Sequence, residues 1–211
     1  MFDLLMTGGP ALWIIAAVAA VTMLVFVRRW QALHHDQINT RDFLEGIYNV
    51  VGRNNLPEAI SICEDSPGPV PYLVRAGLLK ADEDPVDMHI AIQQAGMIEL
   101  PRLEAKLGFF STVARIAPFL GLLGTVAGML DQLNQIRMKA PLATPRDLSA
   151  GLYEALIATA AGLLLAICAH GAHQVLLSRV AALINDMEIA ALGIHGFLVR
   201  RQRNRREGVA E

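Results

Sequence analysis

The chain has 211 residues, 54% of them hydrophobic and only 18% charged, with a net charge of −2. A soluble domain of this size carries about a quarter of its residues as charged ones, so the composition speaks for a membrane protein, and the near-zero charge balance speaks against nucleic acid as a partner. Cys63 stands in a polar segment and Cys168 inside an apolar run, so both are expected to remain free thiols.

The first element is "PALWIIAAVAAVTMLVFV", Pro10 to Val27, which contains no charge and reaches the lower limit for a spanning helix. A cleaved signal peptide has its basic residues before the apolar run. Here Asp3 precedes the run, and Arg28 and Arg29 end it, which predicts a retained span with its C-terminal end in the cytoplasm.

Residues 31–108 then form a block with little β-branched alternation, predicted to be a cytoplasmic helical domain. "NTRDFLEGIYNVV" spaces Phe43, Leu44, Ile47, Val50 and Val51 as one helical face, and "LPEAISICED" reads as a second short helix. Pro67, Pro69 and Pro71 mark a break before "YLVRAGLLKA". In "DEDPVDMHIAIQQ", Asp84 is placed to cap, Pro85 suits the first turn and Asp87 follows three after the cap. From Pro85 no strong stop appears until after Leu130, which predicts one long helix entering the membrane, with Pro101 and Pro118 as kinks.

The second span is predicted over 109–133, with Arg115 able to snorkel, and the third over 151–178 from "GLYEALIATAAGLLLAICAHGAHQVLL". Thr144, Pro145 and Asp147 have the spacing of a capped helix start ahead of it. Residues 134–150 become a periplasmic loop, and 179–211 a cytoplasmic helix and basic tail. This puts the N-terminus in the periplasm and the C-terminus in the cytoplasm. Arg137, Lys139 and Arg146 in the outer loop run against the rule, but Arg28 and Arg29, Arg179 and the five arginines of "RRQRNRRE" outweigh them. The tail either holds that topology or meets anionic lipid headgroups.

Within span two, Gly121, Thr125 and Gly128 share a face, and span three offers Ala155, Thr159, Gly162 and Ala166 at the same spacing. Small-residue stripes allow the close backbone approach that drives helix association in lipid, with each threonine bonded to a carbonyl one turn back. Gly121, Gly128 and Gly162 are therefore candidate packing residues. Glu154 adds an ionisable group, placed either at an interface near the helix N-terminus or on a water-filled path. His170 lies about three turns beyond Thr159 on its face, with His173 nearby, so hydroxyl and imidazole line up as a proton or ion path would require. Further ligands for a metal at the two histidines are lacking. No cofactor is expected, nor any enzymatic constellation.

"IAPFLGLLGTVAGML" and "GLYEALIATAAGLLLAI", in this order after a short first span and a helical block, resemble the ExbB/TolQ family of proton-channel subunits, relatives of the flagellar stator protein MotA. The resemblance implies an inner-membrane homopentamer around a dimer of a single-span ExbD/TolR-type partner, whose transmembrane Asp exchanges protons. It also implies a TonB-like energy transducer as a further partner, and membrane lipid around the whole. By motif position Thr125 and Thr159 match the pore-lining threonines and Glu154 the glutamate of span three. The chain departs from the pattern at Cys168, where "AICA" replaces "AIPA", and at His170 and His173.

The fold class expected is thus an all-α membrane protein of three transmembrane helices with a cytoplasmic helical extension, long helices continuing from membrane into cytoplasm. The functional expectation is a proton-channel or motor subunit. A passive scaffold anchoring a partner is the alternative from a different class, and a MotA-like stator, which normally has four spans, is the nearer one.

Overall fold

The computed structural model describes residues 9–35, 39–105, 107–139 and 145–207. The ordered elements among them are seven helices: α1 Gly9–His35, α2 Thr40–Gly52, α3 Leu56–Asp65, α4 Pro69–Leu79, α5 Pro85–Glu104, α6 Leu107–Lys139 and α7 Pro145–Glu207. Three stretches, in α1, in residues 85–138 and in α7, are long and apolar enough to cross a bilayer. The protein is an all-α membrane protein, and α7, at 63 residues, is several times the mean length of a helix in a globular protein.

The chain divides into two compact units, the break falling after Arg29, at Ala105 and after Leu176. In the first unit, α1, α6 and the first half of α7 meet around Ile15, Val113, Ala117, Leu165 and Ala169. Phe26 of α1 meets Phe110 of α6 edge to face, with ring centroids 6.3 Å apart. The outward faces are apolar too: Leu24 is 65% exposed, Phe119 65% and Ile167 69%. Such faces suit lipid or further protein rather than water.

In the second unit, Leu44, Ile47 and Val51 of α2 are buried, as the spacing of that segment predicts, while Phe43 and Val50 are only partly covered. Cys63 of α3, Val74 of α4, Met88 and Ile92 of α5, and Val180, Met187 and Ile194 of α7 complete this core. Tyr48 stacks on Phe197, ring centroids 4.5 Å apart.

The buried face of α7 changes character along its length. Ala155, Ala158, Gly162, Leu165 and Ala169 alternate spacings of three and four, and Leu176, Val180, Leu183, Met187, Ala190, Ile194 and Leu198 continue almost the same rhythm. The first set is mostly small and the second mostly bulky. In lipid, helices gain by approaching closely; in water they gain by removing apolar area from solvent, at roughly 25 cal/mol per Å².

Several expectations are corrected. Arg28 and Arg29 end the apolar run but not the helix, which continues to His35 because charged residues on a helix face do not break it. Pro69 and Pro71 lie inside the first turn of α4, where a missing N–H removes no intrahelical bond. The break there is Gly68, at φ 104°, a left-handed conformation suited to glycine. Asp84 occupies the N-cap of α5, yet its side chain makes no capping hydrogen bond.

The single long helix from Pro85 is in fact two. Ala105 leaves helical geometry at φ −52°, ψ 136°, its N–H donating one last 2.9 Å bond to the Pro101 carbonyl. Pro101 itself removes one bond from that final turn. The expected outer loop shortens as well, since α6 runs on to Lys139 and α7 begins at Pro145. Asp3, Thr144 and the Asp147 side chain lie outside the described residues.

Cys63 and Cys168 are both free, Cys63 buried and Cys168 exposed. Burial pushes the Cys63 thiol up to about 12. A raised thiol pKa favours folding while the unfolded thiol is still protonated. That contribution is present below the ordinary thiol range of about 8.5 and is lost as pH rises from there towards the folded value. In a Cys168→Ser variant at neutral pH, Cys63 is therefore expected to resist a small maleimide until the protein is unfolded. Rapid labelling of native Cys63 in that variant would contradict this.

Candidate ion path between α6 and α7

The stripe on α6 runs Ala117, Gly121, Thr125, Gly128 and Gln132, at spacings of four and three, so all five lie on one side of the helix. It meets α7 at its small residues. A Cβ added at Gly121 would lie 3.1 Å from the Ala158 carbonyl oxygen and 3.2 Å from the Gly162 Cα. One added at Gly162 would lie 2.7 Å from the Ala117 oxygen and 2.7 Å from the Gly121 Cα. These are backbone atoms, so the two helices touch main chain to main chain. Gly128 is less crowded, its nearest neighbour being the Ala155 Cβ at 3.3 Å.

The threonines stand at this contact. Thr125 is buried, and its hydroxyl donates to the Leu122 carbonyl at 2.6 Å within its own helix. Thr159 is half-buried, and its hydroxyl donates across to the Gly121 carbonyl of α6 at 3.4 Å. That differs from the expected bond one turn back: glycine at 121 leaves its carbonyl open to the approaching helix. With both protons directed at carbonyls, the free lone pairs of the two hydroxyls remain available to accept a hydrogen bond from a third group.

Glu154 is half-buried on α7, next to buried Ala155. His170 is exposed and His173 half-buried on the same helix. Among the described residues no group of three or more metal-ligating side chains comes together.

Two polar residues of this unit escaped the sequence reading. Thr22 of α1 is buried and donates to the Val18 carbonyl at 2.7 Å. Its signal was its register with Leu12 and Ile15, which places it on the packed face of α1. Gln132 is buried, its side chain covering Gly151 of α7 so closely that no Cβ would fit there. Its signal was its place one turn past Gly128 in the small-residue stripe.

Three spanning-length helices, with glycines and two hydroxyls at the contact of the second and third, define a multi-pass membrane protein. The chain belongs to the MotA/TolQ/ExbB proton channel family, whose family model matches residues 66–189. A protein of Methanothermobacter thermautotrophicus named as a homologue of the biopolymer transport protein ExbB is 22% identical over 193 residues, 90% of this chain and 67% of the relative. The Tol-Pal system protein TolQ of Pseudomonas aeruginosa is 33% identical over 155 residues, 67% of this chain and 62% of the relative. A Synechocystis protein named ExbB-like 3 is 29% identical over 117 residues, 54% of this chain and 56% of the relative. The chain thus spans between about half and two thirds of the length of these curated relatives. Family membership and the three apolar helices make it a multi-pass inner-membrane protein.

Proposed function

We propose that the chain is a proton-conducting subunit which, with a single-span partner of ExbD/TolR type, turns the proton gradient into mechanical work on a periplasmic or outer-membrane system. The observation that carries this is the pair of hydroxyls, Thr125 and Thr159, at the closest approach of two apolar helices. Packing alone asks only for small residues there. Hydroxyls whose protons are directed at carbonyls offer lone pairs to a protonated carboxyl group, which is what a partner's transmembrane Asp becomes on taking up a proton.

Glu154 sits at the α7 end from which protons enter, and His170 towards the opposite end. The first and third spans carry their C-terminal ends into the cytoplasm, and the second unit with them. Arg28, Arg29 and Arg179 support that orientation. The arginine tail does not count towards it, because beyond Arg179 the next basic residue is Arg200, outside the window of about 15–20 residues in which charge orients a span. The assembly is a homopentamer around a partner dimer, with a TonB-like transducer beyond it and lipid against the exposed apolar faces. Three spans favour this over a flagellar stator.

Two experiments test the assembly and the exit. Co-expression with the single-span protein encoded beside it, if that protein carries an Asp in its span, is expected to yield a 5:2 complex on native mass spectrometry; purification of this chain alone with no such partner would contradict it. Proton flux through the complex, measured from about pH 5 to 8, is expected to fall in His170→Ala. Unchanged flux over that range would remove His170 from the path.

A further inference from the structure

The last turns of α7 carry Arg200, Arg201, Arg203, Arg205 and Arg206, and they are docked onto two turns of the second unit. The Gln202 amide donates to the carbonyls of Ala81, at 2.8 Å, and Glu83, at 2.7 Å, in the turn after α4. Arg201 donates to Asn54 Oδ1 at 2.9 Å in the turn between α2 and α3. Asn54 is held at φ 60°, a left-handed conformation that asparagine tolerates better than most residues. Arg201, held in this way, lines one depression of about 520 Å³ together with Arg205, exposed Arg206, Ala81, Asp82 and Gln202.

Charge in that depression is unbalanced. Asp82 is the one carboxylate in the lining, and its 3.4 Å pairing with Arg205 is long and exposed on both sides. The nearby acids are engaged elsewhere, Glu83 with Lys80 at 2.6 Å and Glu207 with Arg203 at 3.6 Å. Burial, and then the neighbouring Arg205 charge, hold the Arg201 pKa below the usual guanidinium range. The helix C-terminus favours cations. That accounts for the sign of these residues, but not for three guanidinium groups lining one hollow with one carboxylate, Arg201 and Arg205 both bonded to Asn54.

We infer that this depression binds a soluble anion carrying two or more phosphate charges, such as a pyrophosphate or polyphosphate group. Guanidinium forks match phosphate oxygens in pairs, and residues already fixed by the fold lose less freedom on binding. The lining contains no aromatic ring on which an attached base would stack. A lipid headgroup has the same chemistry, but the basic residues stand well separated in sequence from the end of the third span. The inference does not depend on proton conduction.

The test uses the full-length protein in nanodiscs of zwitterionic lipid, titrated calorimetrically with pyrophosphate and tripolyphosphate. Saturable binding is expected that weakens as salt rises. It should be at least about tenfold weaker in an Arg205→Gln/Arg206→Gln double variant and unchanged in Arg203→Gln. The melting temperature reports whether the double variant is intact; if it is not, Arg206→Gln alone is expected to weaken binding in the same direction. No binding of tripolyphosphate, or parent-like binding in the intact double variant or in Arg206→Gln, would overturn the inference. So would binding to phosphatidylglycerol vesicles without binding to tripolyphosphate, which would assign the arginines to a lipid headgroup.

Discussion

Replacing Gly162 by leucine is expected to separate α6 from α7 and to lower stability by roughly 3 kcal/mol or more, at the upper end of what overpacking does. The reason lies in what the new side chain meets. At Gly162 the first added carbon already lies 2.7 Å from both the Ala117 oxygen and the Gly121 Cα, and a helix backbone cannot swing aside as a side-chain tip can. Gly121→Leu is expected to act in the same way against Ala158 and Gly162. Gly171 is the control: on the same helix, a Cβ there meets nothing within 4 Å. Gly171→Ala should therefore stay within about 1 kcal/mol of the parent. The measurement is thermal unfolding in detergent, followed by circular dichroism. A Gly162→Leu protein that melts with the parent would mean that the two helices do not meet there.

The second large effect separates packing from conduction. Thr159→Val keeps the shape of the side chain and removes the bond to the Gly121 carbonyl, a loss expected to be only about 0.6–1 kcal/mol in a membrane. Flux through the complex is nevertheless expected to fall by at least about tenfold, because valine offers no lone pair to a protonated carboxyl group. Thr159→Ser should retain most of it. If Thr159→Val conducts normally, the hydroxyl serves only to tie α7 to α6.

The small-residue stripes were legible in the sequence because helical periodicity places residues on a face without knowledge of the partner helix. What periodicity does not supply is the partner. That Thr159 donates to the Gly121 carbonyl depends on which backbone approaches, and only the folded pair of helices settles it. The same limit hid Gln132, which reads as an ordinary polar residue past an apolar run until Gly151 is found beneath it.

Composition misled in the opposite direction at the prolines and arginines. Pro69 and Pro71 read as a break but sit where a helix has no bond to lose, and Arg28 and Arg29 closed an apolar run without closing a helix. The end of α5 at Ala105 had only Pro101, one turn earlier, as a signal. The arginine tail was read as topology or lipid contact, and the sequence alone had no means of showing that Arg201 and Gln202 also bond to two turns of the second unit.

Proton uptake into vesicles containing the chain together with its single-span partner, driven by a potential and read with an internal pH dye, tests the central claim most directly. Thr125→Val, Thr159→Val and Glu154→Ala are each expected to reduce uptake while the complex remains assembled. Uptake at the parent rate in all three would show that the polar groups between α6 and α7 carry no protons, and would leave the chain as a helical anchor.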